Sequence, residues 1–513
     1  MPFGPWRAYW RYLSALWLLI LGAALTGCVR SGSFGGPIDY KPTAIPVHTP
    51  GAARLVAPGM PVLDSIPSRP LYTFNITLDY KNNVVTTQER IEFLNPTGGP
   101  TREIKFNVPP AHHPGIIDIT DARIFGQPLP LSYTMSNTVL SVNLPAPLSA
   151  HDGIAIAFNF KLQIPMQQTI NGIGGDDSSR GPDSLTAGHW YIMLAPYRNG
   201  AWDTPAYVPV GDPYVDDVSD FEATILAPDN VIVAGAGDER HDGPLWYYTL
   251  SKARVFAFAA SESFVVDTLD KDNVSYIIYS YPQHRKFAEA VLYTAARAVA
   301  LYSQLFGPYP YKSLRIVETG RSQGQEYSGL IGMGTTLYNG YIGHGARHDL
   351  IATTAHEVSH QWWFNMVGND QVRTPWLDES FARMCELLFY EKYYPRDAVW
   401  WYRYYITGAK KPQGDIDRSI YDYADNRAYT DAVYRRGVMF LYDLRQRMGR
   451  SAFNDMLQDY FTSELYKTTS PNAFFDAVAR HTAKDISDLV ATYFGAPPAL
   501  PCQISGNAPG CRK

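Results

Sequence analysis

A chain of 513 residues is too long for one ordinary core, so two domains plus processing segments are expected. Charged residues at 18% and hydrophobic residues at 46% describe a globular protein and exclude a disordered one. The net charge of -5 carries no basic bias, which argues against a nucleic-acid partner.

Residues 1–28 read as a targeting segment. Arg7 and Arg11 make a basic start, Leu13 to Leu25 an apolar run, and Leu25-Thr26-Gly27-Cys28 a small-residue ending. The apolar run is short for a spanning helix, which needs about 20 residues. The ending resembles a bacterial lipoprotein signal, which implies lipidation at Cys28 and a membrane-tethered chain outside the cytoplasm, at the cell surface or in the periplasm. An uncleaved N-terminal anchor is the alternative, and it gives the same compartment. Residues 29–69, rich in Gly, Pro, Ser and Thr, read as a tether.

Residues 70–268 predict an all-β domain. Phe74 to Tyr80, Gln88 to Leu94, Ile154 to Phe160, Phe221 to Leu226 and Arg254 to Phe258 alternate or cluster as short strands between turns. Asn171 to Ser184, with its Gly, Asp and Ser, reads as a mobile loop and a candidate lid for a cleft. Residues 269–497 turn helical after Ser275 to Ser280. Phe287, Val291, Leu292, Ala295, Val299 and Tyr302 mark one amphipathic helix, and further helices are expected near Asp431 to Met448 and Pro471 to Tyr493. Residues 498–513 form a tail. Of the other cysteines, Cys385 predicts a buried free thiol, and Cys502 and Cys511 a short disulfide loop.

The chemistry concentrates at His356-Glu357-Val358-Ser359-His360, followed after eighteen intervening residues by Glu379. Helical spacing puts His356 and His360 on one face, where both imidazoles reach a single ion. Glu379, in Trp376-Leu377-Asp378-Glu379-Ser380-Phe381-Ala382, supplies a third ligand from a second helix and leaves one position for water, the pattern of a hydrolytic zinc ion, Zn2+. Glu357 is placed to take a proton from that water. Asp378 either orients an imidazole or caps its helix, Glu386 edges the cleft or makes a salt bridge, and Trp362 and Trp363 are core.

Together these segments resemble the M1 family of zinc aminopeptidases, the gluzincins. Gln323-Gly324-Gln325-Glu326-Tyr327 is similar in place to that family's substrate-anchoring loop, and Tyr434-Arg435-Arg436-Gly437 to the element carrying its catalytic tyrosine. The resemblance spans about residues 70–495. It implies an α+β fold: an N-terminal β-saddle domain followed by a thermolysin-like, mostly helical domain. It further implies peptide substrates, a substrate-binding role for Gly324 and Glu326 (the latter at the free amine), and oxyanion stabilisation by Tyr434. The chain departs from the family where Gln323, Gln325 and Tyr327 replace Gly, Met and Asn, and where Arg436 replaces Lys. It is also expected to lack the large C-terminal helical domain. Two rivals stand beside an aminopeptidase: a thermolysin-like endopeptidase on the same zinc site, and a catalytically silent surface binding protein. Cleavage of N-acetylated peptides separates the first, and the intact ligand set with Glu357 weighs against the second.

Overall fold

The computed structural model describes residues 53–512 except short stretches at 57–59, 66, 135–136, 151, 168–176, 409 and 507–509. The targeting segment, Cys28 and most of the tether therefore lie outside the described residues. Among the described residues no helix is long and apolar enough to cross a membrane.

The first half is built on an eight-stranded sheet in the order Asp238–Asp242, Leu245–Ala253, Ser219–Leu226, Leu71–Asp79, Val84–Leu94, Gly153–Gln163, Ile117–Ile124 and Gln127–Pro128. Its pairings are antiparallel apart from Ser219–Leu226, which runs parallel to Leu71–Asp79 with Ala223 opposite Phe74. The alternation in sequence is met in space. Phe74, Ile76 and Leu78 point inward while Asn75, Thr77 and Asp79 face solvent, because successive side chains on a strand take opposite faces. Two four-stranded sheets and two two-stranded ones complete this half among the described residues, and Phe74, Trp190, Tyr191, Phe221 and Phe256 fill its centre.

A second core begins with a five-stranded sheet: Val265–Lys271, Val274–Ser280, Ser313–Thr319, Leu330–Gly334 and, outermost, Gly324–Tyr327. Three of its strands are parallel, and the outermost runs antiparallel to Leu330–Gly334. Helices α1 (Ala288–Leu305), α2 (Asp349–Ser359) and α3 (Trp376–Tyr393) pack behind it. Val291, Leu292, Ala295, Val299 and Tyr302 are the buried stripe of α1, as their spacing predicts. Tyr302 Oη lies 3.1 Å from both Ala355 O on α2 and Cys385 O on α3, pinning together the two helices that bear the metal-ligand pattern. Helices Gly437–Met448, Arg450–Glu464, Pro471–His481 and Ser487–Tyr493 follow. The α+β reading of a β-rich half leading into a helical one holds. Cys385 is a buried free thiol, and Cys502 and Cys511 are joined as a disulfide.

Two local expectations are corrected. Arg254 to Ala257 is not strand; strands end at Ala253 and resume at Phe258. The cause is Arg254, whose buried guanidinium donates to the carbonyls of Phe364, Asn365, Asp216 and Lys467 and so ties the two halves together. The mobile-loop reading of 171–184 fails for 177–184, where Asp177, Ser178 and Ser179 are buried and Ser179–Arg180 pairs with Leu185–Ala187.

Candidate metal centre

His356 lies on the last turn of α2, His360 caps the helix, and Glu379 sits on the first turn of α3. All three are buried. Their facing atoms converge: His356 Nε2 is 3.2 Å from His360 Nε2 and 3.1 Å from Glu379 Oε2, and His360 Nε2 is 3.7 Å from the same oxygen. Ligands about 2.0–2.1 Å from a tetrahedral zinc lie about 3.4 Å apart, so the triad has the dimensions of one face of such a site.

Hydrogen bonds on the far sides of the rings set the tautomers. His360 Nδ1 lies 2.9 Å from Trp363 O, which accepts only, so the ring donates there and Nε2 keeps its lone pair. His356 Nδ1 is 2.7 Å from Glu386 Oε1, which likewise accepts its N–H. Two lone pairs and a carboxylate thus point at one spot, an arrangement that repels itself unless a cation sits between them. The donor chemistry and spacing fit zinc.

Glu386 holds the imidazole, the role weighed for Asp378. Nor does Asp378 cap the helix, since Pro375 occupies the cap; it accepts the backbone N–H of Glu379 at 2.7 Å. Glu386 is fully buried and also receives Arg383 Nη1 at 2.7 Å and Trp401 Nε1 at 2.8 Å. Its place two turns beyond Glu379, on the same face of α3, was the available signal.

Glu357 follows His356 on α2. One of its oxygens, Oε2, is buried with no protein partner among the described residues, as befits a carboxylate that meets a water or substrate. Burial pushes its carboxyl up to about 8, with His356 opposing and Glu379 and Asp212 adding to the rise. Gly324 lies flush against it: a Cβ there would stand 2.0 Å from Glu357 Oε1. Gly324 is thus required by close approach of the outer strand to the acid.

Glu326, two residues along that strand, is buried and receives Gln325 Nε2 at 3.1 Å and Gln371 Nε2 at 3.4 Å. Burial, then Asp212, Glu379 and Glu357, raise it well above the usual carboxylate range. Tyr327 leaves the cleft entirely. Its buried ring points into the β-rich half, with Oη 3.5 Å from Asp177 O, so it does not stand where an asparagine amide would meet substrate.

Tyr434 is buried, stacks on the His356 ring at 5.9 Å, and hydrogen-bonds Glu379. It rides on a π-helical turn, Thr430–Arg436. Ser380 Oγ donates to Val433 O within this turn, and Gly437 follows because a Cβ there would stand 1.9 Å from that Oγ. Arg436 faces away, its guanidinium 5.1 Å from the Tyr493 ring.

Two further residues escaped the sequence reading. Asp212, from a loop of the β-rich half, places a carboxylate oxygen within 4.8 Å of those of Glu326 and Glu379. Burial and the Glu379 charge raise it to about 7, opposed by Arg321 and a hydrogen bond with Gln325. Tyr429 packs against Tyr434 at 5.8 Å and over Gly211, beside Asp212. No motif flags Asp212. Tyr429 and Tyr434 are five apart, a spacing that shares a face only in a π-turn.

A profile described as "Peptidase family M1 domain" matches residues 294–493. The chain is 25% identical over 289 residues to aminopeptidase N of Lactobacillus delbrueckii subsp. lactis, covering 52% of this chain and 34% of that protein. It is 24% identical over 240 residues to human endoplasmic reticulum aminopeptidase 1, covering 44% of this chain and 25% of that one. The matched part thus spans about a third and a quarter of the length of these two curated relatives. In fold, the chain is similar to the crystal structure of an M1 zinc metallopeptidase from Deinococcus radiodurans, with a TM-score of 0.59 at 18% identity, covering 86% of this chain and 96% of that one. A mutant of that metallopeptidase bound to a Tyr-Ser-Ala substrate aligns with a TM-score of 0.58 at 17% identity over 85% of this chain and 96% of that one. Residues 294–493 thus match the peptidase family M1 domain, within a two-part fold similar along almost its whole length to that of a solved M1 zinc metallopeptidase.

Proposed function

We propose that this protein is a zinc aminopeptidase that removes N-terminal residues from peptides. The observation that carries the reading is the acidic end of the cleft, where the Asp212 and Glu326 carboxylates stand beside the His356–His360–Glu379 triad. Two acceptors each about 2.8 Å from one ammonium nitrogen at a tetrahedral angle are about 4.6 Å apart, a spacing that suits a free α-amine. An internal peptide segment offers no charge there and would leave the buried Glu326 and the half-buried Asp212 without a cation to face, which is costly.

His356, His360 and Glu379 would hold zinc, and the bound ion would supply a Lewis acid and an acidified water. Glu357 Oε2 is free to accept a proton from the attacking water and to pass it to the departing amine. The Tyr434 hydroxyl, anchored beside Glu379, donates to the oxygen that gains charge as the carbonyl is attacked. Glu386 fixes the His356 ring so that its Nε2 faces His360 Nε2 and Glu379 Oε2, the groups that would share the ion.

The test compares one peptide with a free or an N-acetylated terminus, with and without chelator, products being identified by mass. The aminopeptidase reading expects single-residue release from the free peptide alone, abolished by chelator. Internal cleavage of both peptides at equal rates supports the thermolysin-like endopeptidase instead, and zinc binding without any turnover the silent binding protein.

The same proposal extends to location. Arg7, Arg11, the Leu13–Leu25 run and Cys28 support a chain lipidated at Cys28 and tethered to a membrane outside the cytoplasm. Cys28→Ala should block lipidation and maturation at this site, and an intact mass with unmodified Met1 in the membrane fraction would overturn the reading in favour of an uncleaved anchor.

A further inference from the structure

Outside the metal centre, the most heavily wired group of titratable side chains lies in the β-rich half, around His189. This ring is buried, stacked on Tyr214 at 3.9 Å, and held at both ends: Nδ1 is 2.6 Å from Asp177 Oδ2 and Nε2 is 2.9 Å from Asp216 Oδ2. Two carboxylate acceptors demand two N–H donors, so the ring is an imidazolium. With Arg321 Nη1 3.3 Å from Asp177 Oδ1, two positive and two negative charges balance in one buried cluster.

Each end of this clamp leads to one side of the cleft. From Asp216 and Tyr214 the chain runs back to Asp212 in four residues, and Pro213 between them limits its freedom. From Asp177 the wiring reaches the outer strand twice. Arg321 lies just before Gly324–Tyr327, and the Asp177 carbonyl meets Tyr327 Oη at 3.5 Å. Gly188, next to His189, presses on the same phenol: a Cβ there would stand 2.3 Å from Tyr327 Oη. Tyr327 in turn adjoins Glu326. Asp212 and Glu326 come from different halves of the protein; Gln325 hydrogen-bonds both acids, and the clamp holds the loop and the strand from which they project.

We infer that His189 is a positioning residue that sets the distance between the Asp212 and Glu326 carboxylates and so governs binding of the substrate's amine. The inference rests on the aminopeptidase reading above. Hydrogen bonds to an ammonium weaken steeply beyond about 3.2 Å, so a drift of roughly 1 Å in either arm loses one of them. The clamp touches neither the triad nor Glu357, and the metal and the chemical step are therefore spared.

The test uses the full-length, zinc-loaded protein and measures zinc content, kcat and KM on a free-amine aminoacyl anilide. It also measures inhibition by a pair of amino-acid hydroxamates, one with its α-amine and one without. His189→Gln should raise KM about tenfold, roughly the cost of one such contact, with kcat changed less than about threefold and zinc unchanged. The amine-bearing hydroxamate should weaken in parallel while its des-amino partner keeps its affinity. A merely structural role would lower kcat through the active fraction, or weaken both hydroxamates equally, and either result overturns the inference. Asp216→Asn, which keeps the shape and removes one charge, is judged by the same criteria and decides the matter if His189→Gln does not accumulate. Glu326→Ala separates the two levels of the argument. If it leaves KM unchanged, the aminopeptidase reading itself fails; if it raises KM while His189→Gln and Asp216→Asn do not, only the inference drawn from His189 fails.

Discussion

Each half of this protein buries a group of histidine and carboxylate, and the two are wired in opposite senses. Around His189 both ring nitrogens are taken by carboxylates, the charges cancel, and the cluster is closed. Around His356 and His360 only the outer nitrogens are taken, by Glu386 and the Trp363 carbonyl, and the inner ones converge with Glu379 on a common point. Residue type alone does not separate structure from chemistry here. What separates them is whether the hydrogen bonds exhaust the donors or leave lone pairs facing one another.

That contrast can be broken first at Glu357, the acid of the open group with an oxygen to spare. Glu357→Gln should lower kcat by about 10²–10⁴ with zinc retained, measured by metal analysis beside steady-state kinetics. Near-normal turnover would remove the open group's chemistry from the account. Tyr434→Phe comes next, with an expected loss of about 10²–10³ in kcat and little change in KM, because the donor acts as charge develops. Glu386→Ala should weaken zinc binding by about 10–100-fold in a chelator competition, although Glu386 never touches the metal. Unchanged affinity would mean that the hydrogen bond to His356 Nδ1 has no hold on the ligand.

The smallest effect concerns the closed group. Burial opposes protonation of His189, but Asp216 and Asp177 outweigh it and raise the ring to about 10. A value raised in the folded state contributes stability that is complete below the unfolded value of about 6.5 and is lost as pH rises through about 10. Melting curves between pH 7 and 10.5 should therefore show wild type losing more stability than His189→Gln. Parallel losses would mean the ring is not held as a cation.

Much of the open group was legible in sequence because its spacings are helical: four residues from His356 to His360, and a third ligand in a second segment with its own helical signature. The alternation along Leu71–Asp79 was legible for the same reason, since a strand with one buried face writes a period of two. What escaped has non-local causes. Asp212 reaches the cleft only because the two halves dock, and no period along the chain encodes docking. Arg254 interrupts a segment whose composition favours a strand, since four carbonyls from distant segments outweigh local propensity. Tyr429 was hidden by a π-turn, which breaks the spacing used to read helix faces.

Arg254 also has a consequence for how the protein comes apart. Its guanidinium stems from the β-rich half, where Asp217 and Asp216 lend it negative charge and the Asp216 carbonyl accepts one of its hydrogen bonds; its other three end on the backbone of the other half at Phe364, Asn365 and Lys467. Separating the halves would expose those carbonyls and the cation together, so neither half can loosen first without the other. Heat should therefore melt residues 70–495 in a single calorimetric transition, and Arg254→Met should split it in two.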